Sequence, residues 1–152
     1  MFNRKLIFLA VVLTVFLPVL AFAGTIELPR TGQTKCYDTW GAEIACAGTG
    51  QDGEIQAGVV WPSPRFTVSG DCVTDNLTGL MWARNGNLFG YKNWSYALYY
   101  VNNLTLCGYS DWRLPNVNEL ESLINVDELN TADWLNSQGF TYVQKNVGYW
   151  TS

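Results

Sequence analysis

Glu119 and Glu121 are the two carboxylates whose spacing most invites catalysis, because paired acids flanking one bond are the machinery of glycoside hydrolysis. Two residues apart on a helix, however, they point to different sides and are poorly placed to flank a common bond. Glu119 has a simpler role. Asn116 stands three residues before it, which is capping-box spacing with Asn in place of Ser or Thr. Asp71, Asp75 and Asn76 could gather oxygens for Ca²⁺, but they lack the regular ligand alternation of an EF-hand loop. They are expected to build turns, where Asp and Asn are preferred. The 152-residue chain contains no His. That removes Ser–His and Cys–His nucleophilic pairs and His-based metal sites in one step. With no phosphate-binding loop or dinucleotide fingerprint either, neither a catalytic residue, a cofactor nor a metal is expected.

The four cysteines fall with 9, 25 and 34 residues between them and no CxxC, a poor pattern for zinc. Disulfides are expected. Four thiols allow three pairings, and spacing alone does not choose among them. The favoured set is Cys36–Cys46, closing a short Gly-containing loop, and Cys72–Cys107, tying a strand to the end of a helical connection.

Arg113, flanked by Trp112 and Leu114, is the most interesting charge. Its guanidinium is expected to form a bidentate structural ion pair with Asp111, Asp75 or another carboxylate. Seven Trp, eight Tyr and seven Phe make the chain aromatic-rich. Trp82, Trp94 and Trp112 are expected in the core. Tyr96, Tyr99 and Tyr100 fall partly off the apolar helix face and are weak candidates for exposed platforms that could meet sugar rings.

These residues need elements to hold them. Residues 1–23 read as a secretory signal: Arg4 and Lys5, an apolar run from Leu6 to Leu20, then Ala21-Phe22-Ala23 as a cleavage pattern. Its removal leaves seven Lys and Arg against thirteen Asp and Glu, a formal charge of −6. An acidic chain without basic clusters is a poor partner for nucleic acid or an anionic membrane surface. Residues 24–65 read as a loop-rich leader with one disulfide-closed hairpin, a linker ahead of a compact domain over 66–152. There, strands are expected at 65–68, 72–75 and 80–83, with Ser69-Gly70-Asp71 and residues 75–79 as turns. Asn93 is expected to cap a helix over 94–104 whose apolar face is Trp94, Ala97, Leu98, Val101 and Leu104. A short strand at 111–114 should end at Pro115, and a second helix should follow Asn116. Residues 131–138 read as a helical turn stopped by Gly139. Two strand-like runs, 140–143 and 148–151, close the chain.

The run Val73-Thr74-Asp75-Asn76-Leu77-Thr78-Gly79-Leu80-Met81-Trp82, the helix, and Gly108-Tyr109-Ser110-Asp111-Trp112-Arg113-Leu114-Pro115-Asn116 with Glu119-Leu120 resemble the Lcl C-terminal domain family, also catalogued as domain of unknown function 1566. The resemblance covers residues 66–152, with a weaker echo over 36–52. It implies a bacterial secreted or surface protein with an α+β, C-type-lectin-like fold of short antiparallel strands and two or three short helices. It also implies a role in adhesion or glycan binding, with an extracellular glycan or a surface protein as partner. Members of such domains continue beyond the segment represented here by Tyr149-Trp150-Thr151-Ser152, so an incomplete domain is expected. Two other classes stand beside this one: a structural or assembly protein without ligand, and an enzyme on the related formylglycine-generating scaffold, which would need a reactive Cys pair.

Overall fold

The computed structural model describes residues 28–152; the expected export signal at 1–23 lies outside them. In chain order come Cys36–Tyr37 (β1), Glu43–Ile44 (β2), Asp52–Ile55 (α1), Phe66–Ser69 (β3), Cys72–Asp75 (β4), Met81–Ala83 (β5), Trp94–Asn102 (α2), Val117–Glu121 (α3) and Thr131–Ser137 (α4). The result is a mixed α and β chain with two small antiparallel sheets, β1-β2 and β3-β4-β5, and four short helices among the described residues.

The central sheet follows from its turns. The turn at 69–71 folds β3 onto β4, pairing Phe66 with Asp75 and Ser69 with Cys72. Asp75 closes the next turn with its own side chain, accepting from Leu77 N–H at 3.0 Å and from the Thr78 hydroxyl at 3.1 Å. Gly79, at φ +74°, then supplies the left-handed residue that returns the chain as β5, with Val73 opposite Trp82. Val73 is wholly buried, and around it gather Phe66, Leu123, Trp134, Leu135 and Phe140, with Trp61, Trp82, Leu120 and Val143 packed at the margin. Phe66 meets both Trp134 and Phe140 edge-on, with ring centroids 5.7 and 5.3 Å apart, the geometry that aromatic quadrupoles favour.

The ends of the helices are written in asparagine. Asn93, Asn116 and Asn130 each accept a hydrogen bond from the backbone N–H three residues on, opening α2, α3 and α4. At Asn116 the capping box is complete, because Glu119 also accepts from the Asn116 N–H at 2.8 Å. Gly139, at φ +106°, stops α4, and any Cβ there would stand 2.5 Å from Val68 Cγ2.

The leader does more than a linker would. Arg30 N–H donates to Val59 O, the Trp61 indole donates to Arg30 O at 2.8 Å, and Val126 N–H donates to Thr31 O. Asp127 receives the Thr34 hydroxyl at 2.7 Å and the N–H groups of Thr34 and Lys35. Residues 28–35 thus form an arm strapped between residues 59–61 and 125–127. Burial pushes the Asp127 carboxyl up, but those three donors and the nearby Lys35 charge more than offset it and leave it below the usual range.

Several expected elements take other forms. Residues 111–114 form no strand, and Trp112 is instead held by its indole N–H donating to Leu106 O at 3.3 Å. Residues 140–143 contribute only a bridge between Thr141 and Asn85, since Tyr142 at φ +56° leaves the extended region. Residues 148–151 make no ladder, and Trp150 is anchored by its side chain. The expected core tryptophans lie at the margin. Trp82 and Trp112 are partly buried and Trp94 is 48% exposed, while the buried one is Trp134. The inward stripe of α2 is sealed only near its C-terminal end, at Val101; Trp94 sits two turns earlier.

Candidate functional site

Asn93 fixes the start of α2 by accepting from Tyr96 N–H at 3.0 Å. From that start the 3.6-residue period sets two faces. Ala97, Leu98, Val101 and Leu104 turn inward. Tyr96, Tyr99, Tyr100 and Asn103, at i, i+3, i+4 and i+7, make one outward stripe. Tyr96 and Tyr99 are 59% and 63% exposed, and Tyr100 is 37% exposed. The stripe is braced from the side. Phe89 stacks on Tyr100 with ring centroids 5.0 Å apart, Tyr99 meets Tyr100 edge-on at 5.7 Å, and Lys92 Nζ stands 5.6 Å from the Tyr100 ring. Lys92 is itself pinned, its carbonyl accepting the Trp150 indole N–H at 2.8 Å. The Asn103 amide donates to Tyr99 O at 2.7 Å and finishes the helix. Just beyond, Cys107 is bonded to Cys72 in β4, so the segment carrying α2 is covalently tied to the central sheet.

Glu119, Asp75 and Glu54 are committed to structure. Glu119 receives two hydrogen bonds from Arg113, at 2.8 and 2.5 Å, so the partner of Arg113 is the capping carboxylate and neither Asp111 nor Asp75. Asp111 is exposed. The Arg113 donors, with the Asn116 N–H behind them, hold the Glu119 carboxyl down to about 2, and the same pairing raises Arg113. Asp75 belongs to a different partner, one the sequence did not announce. Arg65 lies buried beside it, with Nη2 3.3 Å from Oδ2 and Nε 3.4 Å from Oδ1. Arg65 Nη2 also donates to Ser122 O, and the guanidinium stacks 4.0 Å over the Trp61 ring. Glu54 accepts from the N–H groups of Gly48 and Gly50, which lower its carboxyl and close the loop beside the Cys36–Cys46 disulfide. No group of three His, Cys, Asp or Glu side chains able to hold a metal occurs among the described residues.

Of the residues singled out in the sequence, the structure brings Tyr99 and Tyr100 into contact and sets Tyr96 beside them on the stripe. It gathers Arg113, Asn116 and Glu119 into one capping unit, and joins Cys36 to Cys46 and Cys72 to Cys107. Glu119 and Glu121 form no pair. Phe89 and Lys92 were missed, because a loop residue that packs sideways against a helix carries no periodic signal.

An α+β module, stapled by two disulfides and presenting an aromatic helix face, is the class these features define. Residues 71–152, more than half of the chain, match the Lcl C-terminal domain, and the chain belongs to that family. No curated protein and no solved structure matches it.

Proposed function

We propose that this chain is an exported, non-enzymatic binding and adhesion module with a C-type-lectin-like fold, acting in the periplasm, at the cell surface or outside the cell on an extracellular glycan or a surface protein. The observation that carries this reading is the braced tyrosine stripe of α2. Large aromatic side chains stand exposed there, fixed by neighbours rather than buried by them. Such side chains offer much contact area for little ordering entropy. The two disulfides support an oxidising compartment. No helix among the described residues is long and apolar enough to cross a membrane.

The test is binding of the chain from Gly24 onward to immobilised glycans and to intact cells, beside a Tyr99→Ala/Tyr100→Ala variant of equal far-UV dichroism. Retention that drops about tenfold or more in the variant supports the reading. Equal retention removes its basis. Against the formylglycine-generating alternative stands the pairing of all four cysteines. Thiol titration of the denatured, unreduced protein that finds two free thiols would reopen it.

A further inference from the structure

We infer that the outer face of α2 takes a neutral, linear oligosaccharide, about one pyranose ring per helical turn, rather than a polyanion or a protein. This rests on the binding-module reading above and narrows it.

Charge comes first. The chain holds thirteen Asp and Glu, yet residues 76–110 contain none. The cations in that window are Arg84 and Lys92, and both are occupied. Arg84 donates to Gly139 O at 2.9 Å and to Gly70 O at 3.4 Å, while Lys92 lies against the Tyr100 ring. The segment that carries the face therefore supplies no carboxylate of its own to a basic partner and no cation cluster to a sulfated or phosphorylated one. Around it the exported chain is net acidic, which disfavours the approach of a polyanion. The ligand complementary to this surface is uncharged.

Shape comes next. Tyr96 and Tyr99/Tyr100 are about one turn apart, and the pitch of an α-helix, about 5 Å, is close to the length of one pyranose unit in a linear chain. A pyranose presents C–H bonds on its flat face and hydroxyls around its rim. A phenol presents a π face and one hydroxyl at its edge, so the two match in both respects. Rigidity adds to this, because Phe89 and Tyr99 already hold the Tyr100 ring and little ordering remains for the ligand to impose. A protein partner needs a broader patch, about 800 Å² on each side. The stripe is one row wide, and the polar Ser95 and Asn102 are exposed beside it.

The experiment uses the chain from Gly24 onward, with cellohexaose, mannohexaose and chitohexaose as neutral probes and dextran sulfate as the polyanion. Aromatic ¹H–¹³C shifts and calorimetry serve as readouts. At least one neutral hexasaccharide should shift the Tyr96, Tyr99 and Tyr100 resonances, with an affinity insensitive to salt. Tyr99→Ala and Tyr96→Ala should each weaken it about tenfold, while Tyr142→Ala, an exposed tyrosine elsewhere, leaves it unchanged. Neutral binding that survives both stripe variants overturns the assignment of the site. Binding of dextran sulfate alone, falling steeply with salt, overturns the inference and leaves the binding-module reading standing. The same holds for capture of a surface protein through Tyr99 without any hexasaccharide binding. No binding by the neutral probes in any assay also overturns it, and the binding-module reading falls with it only if cells and immobilised glycans fail as well.

Discussion

α2 and α4 begin alike and end up in opposite trades. Each is opened by an asparagine that accepts a backbone N–H, from Tyr96 in one and from Asp133 in the other. α4 then buries Ala132, Trp134 and Leu135 among its seven residues, whereas α2 buries only Val101 among nine. The caps decide where the helices start; the partners decide what they are for. α4 is held by what it excludes from water. α2 is held by a cap, by a partly sealed stripe and by the disulfide at Cys107, and it turns its largest side chains outward. Aromatic content is therefore a poor guide to burial here: Trp134 and Tyr99 lie on helices of similar texture and do unrelated work.

Breaking the side of the molecule that α4 belongs to should cost most. Asp75→Ala leaves the buried Arg65 guanidinium without its counter-charge, and a loss of about 3–5 kcal/mol is expected in urea unfolding. Trp134→Ala should cost a similar amount, about 3–5 kcal/mol, while Tyr99→Ala stays within about 0.5 kcal/mol. If the two aromatic changes proved equally costly, the contrast between the helices would be wrong.

Next in size are the staples. Replacing Cys72 and Cys107 by Ala frees a loop of sequence separation 35, for which loop-closure entropy gives about 4 kcal/mol, against about 3 kcal/mol for the separation of 10 at Cys36–Cys46. Amide exchange should then show α2 opening below the global free energy while β4 stays protected.

The caps sharpen the comparison further. Asn130→Ala and Asn93→Ala should each remove about 1 kcal/mol. The first should appear in global unfolding and the second mainly as faster exchange within α2.

The smallest effect is at Glu119. Its folded pKa of about 2 lies below the ordinary 4.5, so its contribution is present in full above about pH 4.5 and is lost as pH falls toward about 2. Glu119→Gln should therefore be less stable than the parent near neutrality. The gap between their urea midpoints should close over that acid range.

What could be read in the sequence follows the same division. The β3–β4 turn, the caps at Asn93 and Asn116, the capping box and the stop at Gly139 are local, set by residues within four positions of one another, and they were legible, whereas the equally local cap at Asn130 was missed. Arg65–Asp75 spans ten residues and Phe89–Tyr100 eleven, with no shared period to betray them. The strands expected at 140–143 and 148–151 had the right composition, but strands need neighbours, and these segments found only a bridge and a side-chain anchor. Helical phase places Trp94 inward, yet it stands 48% exposed at the start of α2. How far along the helix the interior extends is a tertiary fact.

The arm has a bearing on the order of events. Thr34 and Asp127 are separated by 93 residues. A chain delivered through a narrow channel with its N-terminus leading shows residues 28–35 to the far side well before their clasp emerges. Closing so long a loop is slow and must wait until Asp127 has emerged. Under the export we propose, then, arrival and fastening of the arm are separate steps.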